Sequence, residues 1–320
     1  EALVFNADYT VTMGALKTAL FSDAAKDFCG KIICAELGIS EKVFNSLEKP
    51  SAFLLELSDI NFPFRKAKSS HKGTFGHAYV IPGEKPGAGL IAATSALEFG
   101  CGLSTVCDKF SDFSKIKIPM DLMYSSEIPN NVSAILLGSG FGRNQQNMDM
   151  AWDFIKQFSC NGKCSFVFDA DIFYYQKLPL LLQELKNQQV ILTPHPKELF
   201  YLLKLYDIKV DSVEEVIQNR FEFCKLFSEK NPNCVLVSKG AITYICHQNQ
   251  IFICDVGSVA LAKAGSGDVL AGMCLSLLAQ GYDCVKAAQT AVYAHGIAAS
   301  KCETNYGLTP SKLISLIKNK

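Results

Sequence analysis

The sequence predicts an α/β domain, doubly wound, with a mostly parallel sheet flanked by helices on both faces. Two observations predict it. From about residue 78 onward, short apolar runs alternate with longer amphipathic stretches. Glycine-rich or polar segments follow run after run, where an open α/β sheet places its ligands.

Each element can be justified in order. Ala7–Met13 alternates like a strand, and Gly30–Gly38 is a short apolar run closed by glycine. Asn61–Ser70 is polar, basic and interrupted by proline, which marks a linker. Residues 1–60 are therefore set apart from a larger domain at 61–320. In that domain strands are expected at Ala78–Ile81, Leu103–Cys107, Val132–Leu137, Ser165–Phe168, Val190–Leu192 and Cys234–Val237. Thr243–Cys246 and Ile251–Cys254 suggest an edge hairpin around His247–Gln250. Helices are expected at Leu90–Phe99, Gln145–Phe158, Leu178–Asn187, Lys197–Leu205 and Val213–Ser228, then at Val269–Leu278, Cys284–Ser300 and Ser311–Lys318.

Composition narrows the function classes. The chain has 320 residues and is 49% apolar, enough for a sizeable core. Its formal net charge is zero, so bulk charge does not draw it to nucleic acid or anionic membrane. No apolar run reaches membrane-span length, and the first residues lack a signal-peptide pattern. Thirteen scattered cysteines fit reduced thiols in a cytoplasmic protein. Cys160 and Cys164 lack a second pair or a nearby histidine, so zinc is not expected. The chain begins without methionine, which suggests a processed product or a piece of a longer one.

Six strand ends carry candidate chemistry. Ala264-Gly-Ser-Gly-Asp268 precedes an apolar helix, so Gly265, Ser266 and Gly267 can offer backbone N–H groups to an anion. Asp268, in the first turn, can accept a proton from a hydroxyl attacking a phosphoryl group; it also reads as an ordinary helix cap. Ser238-Lys-Gly-Ala-Ile-Thr243 can present an ammonium, a hydroxyl and close backbone donors to phosphate, or simply turn a hairpin. Thr193-Pro-His-Pro-Lys-Glu198 enters a helix, with His195 extended before Pro196 and Glu198 near any bound metal. Gly138-Ser-Gly-Phe-Gly142 permits close approach to a ligand. Asp169-Ala-Asp171 could orient water, magnesium or a hydroxyl. The sixth is His71-Lys-Gly-Thr-Phe-Gly76 with the glycines of Pro82–Gly89. Neither a dinucleotide fingerprint nor a P-loop is present, which disfavours an NAD oxidoreductase and a P-loop enzyme.

In this order HKGTFG, GAG, GSGFG, DAD, TPHPKE, SKGAIT and AGSGD resemble the ADP- or ATP-dependent NAD(P)H-hydrate dehydratases of the ribokinase-like superfamily, from about His71 to the C-terminus. The resemblance implies dehydration of the hydrated nucleotides NADHX and NADPHX, using ADP or ATP with Mg2+. It implies that Lys239, Gly240, Ala241, Ile242, Thr243 and Gly267 hold the adenine nucleotide and that Asp268 is the base. It implies that Ala88, Gly140, Gly142 and His195 line the hydrated nicotinamide. It also implies a homo-oligomer, a tetramer. Departures occur at Ala264, where the family has glycine, at Ser139 and Phe141, and at Tyr174, where asparagine is usual. Residues 1 to about 40 resemble the tail of an NAD(P)H-hydrate epimerase domain, implying a bifunctional parent without epimerase activity in these residues alone. Two rivals stand beside this reading: a ribokinase-like kinase of a vitamin precursor or sugar alcohol, and a nucleotide-binding module without catalysis.

Overall fold

A computed structural model describes residues 4–47, 49–157 and 164–318. Its strands are β1 (Tyr9–Met13), β2 (Lys31–Ala35), β3 (Phe53–Leu54), β4 (His77–Ile81), β5 (Leu103–Cys107), β6 (Met123–Ser125), β7 (Ala134–Leu137), β8 (Ser165–Phe168), β9 (Val190–Leu192), β10 (Cys234–Ser238), β11 (Thr243–His247) and β12 (Gln250–Cys254). β1 and β2 pair in parallel as a small separate sheet. The other ten form one sheet in the order β3-β12-β11-β10-β9-β8-β7-β4-β5-β6. Only β11 runs antiparallel to its neighbours.

The strands at the middle of this sheet are short and apolar because helices cover both faces. Every residue of β4, β7, β8, β9 and β10 is buried. Alternate side chains feed two cores. Ala78, Val80 and Leu136 join the helices Pro86–Glu98, Ser266–Ala279, Cys284–Ser300 and Pro310–Ile317 on one face. Tyr79, Ile135 and Phe168 join the helices Gln145–Gln157, Leu178–Glu184, Pro196–Leu205 and Arg220–Lys230 on the other.

The chain reverses its direction of progress across the sheet at β4. β5 and β6 extend to one side of it, while β7 to β10 extend to the other. The loops after β4 and β7 therefore meet at a topological switch point, the ligand crevice of open α/β sheets. Two helices frame that crevice closely. Gly272 lies where a Cβ would come within 2.2 Å of the Ala92 carbonyl, and Ser95 Oγ donates to the Val269 carbonyl at 2.8 Å. The absence of a side chain at Gly272 thus allows the helix starting at Ser266 to pack on the one starting at Pro86.

The expected α/β class is what the structure shows, with several corrections. The helix expected over Val213–Ser228 is two, Val213–Gln218 and Arg220–Lys230, broken at Asn219. The break turns Arg220, 2% exposed, under β10. The β11–β12 hairpin is not the sheet edge, because β3 pairs alongside β12. β3 and β6 were too short for the periodicity to show. β3 lies within residues 1–60 yet belongs to the large sheet, so contacts run across the expected boundary. Phe158 and Cys160 lie outside the described residues. Among the described residues no group of three potential ligands could hold a metal ion, and no helix is long and apolar enough to cross a membrane.

Candidate functional site

The site begins with backbone geometry at the start of the helix Ser266–Ala279. Gly265 takes a left-handed φ of 87°, and a Cβ there would meet Pro310 Cγ at 2.5 Å. Ala264, the residue that departs from the family pattern, is not among the positive-φ residues, so its methyl group brings no backbone strain. The helical ladder begins with the Val269 N–H donating to the Gly265 carbonyl at 3.1 Å. The N–H groups of Gly267 and Asp268 precede it, so the helix offers anion-binding donors at this end. The Ser266 N–H is used in a turn to the Lys263 carbonyl at 3.2 Å.

Lys239 faces this helix from the end of β10. Its N–H donates to the Pro194 carbonyl at 2.9 Å, tying the loops after β9 and β10 together. Its ammonium lies 2.7 Å from Asp169 Oδ1 and 3.8 Å from Glu198 Oε2. Burial opposes the lysine charge, but Asp169 and Glu198 outweigh it and hold the pKa above its ordinary value. Thr193 Oγ1 donates to the same Asp169 oxygen at 2.7 Å, and Ser139 Oγ to the other at 3.4 Å.

Asp268 stands beside this charged cluster. Burial, and then the negative charge of Asp169, raise its pKa to about 6, while a hydrogen bond from Ser139 and the charge of Lys239 pull it back. An aspartate so placed is largely ionised at neutral pH yet more basic than usual.

Glu198 is also held. Its Oε2 accepts the His195 N–H at 2.9 Å and its Oε1 lies 3.1 Å from His195 Nε2. Burial alone would raise its pKa; Lys239 and His195 reverse that and lower it. His195 Nδ1 in turn accepts the Lys197 N–H at 3.2 Å, capping the helix Pro196–Leu205.

A cavity of about 770 Å³ opens beside Lys239 and Gly267. Its lining includes His195, Lys239, Ser266 and Gly267 together with apolar groups such as Leu261 and Val292. Gly240, Ala241 and Thr243 also line it. Ile242 does not: its side chain is 2% exposed and packs in the core.

Ala88, in the first turn of the helix Pro86–Glu98, and Gly140 and Gly142, on the loop after β7, do not line that cavity. The Lys85 N–H donates to the Gly140 carbonyl at 2.8 Å. Asp171 Oδ2 accepts the Gly142 N–H at 3.0 Å, and Oδ1 pairs with Arg143 Nε at 3.3 Å. The D-A-D segment thus splits its work, Asp169 toward Lys239 and Asp171 toward the glycine loop. Ala170 between them adopts φ of 55°, unusual outside glycine. Tyr174, in the expected asparagine's place, packs under Arg143, whose guanidinium carbon lies 3.6 Å from its ring centroid.

Three contributors escaped the sequence. Asp169 was visible in a pair of acids, but not as Lys239's partner. His295 lines the cavity, and its Nε2–H donates to the Ser266 carbonyl at 3.1 Å; burial lowers its pKa to about 4, so it is neutral. Arg220 packs beneath Gly240, where a Cβ would approach Nη2 to 2.5 Å. Neither His295 nor Arg220 carries a local motif.

An open α/β sheet with an acid at a glycine-led helix start and a lysine facing it has the parts that binding a phosphorylated ligand needs. Residues 78–320 match the Carb_kinase model, NAD(P)H-hydrate dehydratase, and the chain belongs to that family. It is 45% identical over 315 residues to the bifunctional NAD(P)H-hydrate repair enzyme Nnr of Helicobacter pylori, covering 98% of this chain and 64% of that one. It is 27% identical over 266 residues to the ADP-dependent (S)-NAD(P)H-hydrate dehydratase of Neisseria meningitidis, covering 78% of this chain and 84% of that one. The ADP/ATP-dependent NAD(P)H-hydrate dehydratase of Bacillus subtilis, co-crystallised with ATP/Mg2+, superposes with a TM-score of 0.65 at 25% identity, over 79% of this chain and 91% of that one. The chain thus spans less than two thirds of the Helicobacter protein's length.

Proposed function

We propose that this chain restores hydrated NADH and NADPH, the (S) forms of NADHX and NADPHX, with ADP or ATP as phosphoryl donor. One observation carries the reading: Asp268, with a pKa raised to about 6, has as neighbours both Lys239, which lines the cavity, and Ser139 of the glycine loop after β7. A nucleotide in the cavity and a hydroxyl over the loops would meet there.

The proposed roles follow the geometry. Lys239 and the N–H groups around Gly267 draw the nucleotide phosphates, while Gly240 to Thr243 and the apolar wall take the rest of the nucleotide. Gly265 and Ser266 shape the anion hole. Ala88, Gly140 and Gly142 position the hydrated nicotinamide, and His195 reaches it from the cavity side. Asp268 accepts the proton of the ring hydroxyl as its oxygen bonds to the terminal phosphorus, and the bond to the remaining nucleotide breaks. The phosphate ester then leaves as phosphate while the ring nitrogen donates electrons and a ring proton is lost. With ADP the balance is hydrated NADH plus ADP giving NADH, AMP, phosphate and a proton.

Magnesium fits this site as a partner of the phosphates rather than of a protein cage. Both Glu198 oxygens are engaged by His195, and Asp169 Oδ1 is engaged by Lys239 and Thr193. Bound there, it would neutralise charge on the transferring phosphoryl group, and Glu198 would help hold it through its hydration shell.

The upstream segment supports a bifunctional parent. The Helicobacter relative aligns over 98% of this chain, well beyond the family region. β1 and β2 make a two-stranded parallel sheet with Val11 and Ile33 exposed, an arrangement that is marginal alone. We take residues 1–60 as the end of an epimerase-type unit with its linker, and the protein as cytoplasmic and homo-oligomeric. Incubating the chain with hydrated NADH, Mg2+ and either nucleotide tests the activity. Reduced-nicotinamide absorbance should return; no return with ADP or ATP rules the reading out.

A further inference from the structure

The nucleotide cavity is built partly by residues that precede the family region. Asp23 opens a one-turn helix, Asp23–Lys26, more than fifty positions before residue 78. Its Oδ1 accepts the backbone N–H of Ile242 at 2.8 Å and pairs with Arg220 Nη2 at 2.8 Å. Arg220 Nη1 donates to the Ser238 carbonyl at 2.8 Å, and Nη2 also donates to the Ile242 carbonyl. One buried guanidinium and one carboxylate thus hold both ends of the loop from Ser238 to Ile242. Tyr244 extends the junction by donating its hydroxyl to the Phe21 carbonyl at 2.8 Å. Lys26 and Asp27 line the cavity itself, and the Lys26 ammonium donates to the carbonyl of Asp255, the residue before the cavity-lining Val256.

We propose that Asp23 is a positioning residue for the nucleotide loop, and that Lys26 and Asp27 form one wall of the nucleotide site. Nucleotide affinity is then set in part by the segment that connects β1 to β2. The physical reason is the fixed Arg220. It lies in contact with Gly240, so any tilt of its guanidinium moves the loop backbone. Asp23 is the only side-chain carboxylate that the described residues pair with it. Without that acid, a buried cation keeps backbone carbonyls, the Ser238 hydroxyl and the Tyr244 ring as partners but no counter-charge among the described residues, and the Ile242 N–H loses its acceptor.

This inference rests on the cavity being the nucleotide site, and binding measurements separate the two. Titrate the full chain with ADP and Mg2+ by calorimetry. If the unaltered chain binds no adenine nucleotide, the functional reading fails. If it binds, Asp23→Ala should raise the ADP dissociation constant about tenfold, and Lys26→Ala by a smaller factor, while the KM for hydrated NADH holds within about twofold. Asp23→Glu should recover part of the affinity. ADP should also slow amide exchange in peptides spanning residues 18–29 of the unaltered chain, a readout independent of any variant's folding. Unchanged affinity in a folded Asp23→Ala variant, or no exchange protection in that segment, overturns the proposal.

Discussion

Lys239 Nζ lies 2.7 Å from Asp169 Oδ1, joining the ends of β10 and β8 across the intervening β9. Asp169 is buried, with a side-chain exposure of 3%, while Lys239 keeps 18% where it lines the cavity. Lys239→Met would leave Asp169 uncompensated, at a cost of about 3–5 kcal/mol. Adding Asp169→Asn should recover most of that stability, because a neutral pair needs no counter-charge. It should not recover ADP binding. Chemical denaturation and calorimetry of both variants check this.

The raised pKa of Asp268 makes two predictions with opposite consequences. As a base, Asp268 must be ionised, so kcat/KM should fall on the acid side with a midpoint near pH 6. Ser139 donates a hydrogen bond that lowers this pKa, so Ser139→Ala should move the midpoint upward. A pH–rate profile of both proteins reads the shift.

Stability runs the other way. A carboxyl group with a raised pKa favours the folded state when protonated, and that contribution disappears as pH rises from about 4 through about 6. Asp268→Asn should therefore stabilise the fold at pH 7 by about 1–3 kcal/mol while suppressing turnover. The gain should shrink toward zero near pH 4. Thermal melts of the two proteins across that range provide the comparison.

Gly140 tests the glycine loop independently of the nucleotide. It sits at φ of 65°, and a Cβ would lie 2.3 Å from the Lys85 carbonyl oxygen. Gly140→Ala should separate the loops after β4 and β7, raising the KM for hydrated NADH about tenfold or more. The dissociation constant for ADP should stay within about twofold. Equal losses on both ligands would count against separate binding regions.

Much of this arrangement was legible in local sequence. A glycine-led helix start announces its own chemistry, so Asp268 and Gly267 could be singled out before any contact was known. Lys239 and His195 were legible because strand ends and proline-flanked helix starts have local signatures. What escaped was long-range. Asp23 and Arg220 are 197 residues apart, and nothing around either residue announces the other. His295 lies inside an apolar helix, where its link to the Ser266 carbonyl leaves no periodic trace. The break at Asn219 was hidden for a similar reason: the continuous helical pattern was overridden by Arg220's place under Gly240. The Ala264 departure brings no backbone strain, since the left-handed position falls at Gly265.

The account turns on phosphoryl transfer being coupled to loss of the ring hydroxyl. The most direct measurement is the product balance with ADP as donor, following NADH, AMP and inorganic phosphate in one reaction. The account predicts one AMP and one phosphate for each NADH regained. A stable phosphorylated product, without release of phosphate or return of NADH, would contradict it and identify a kinase instead.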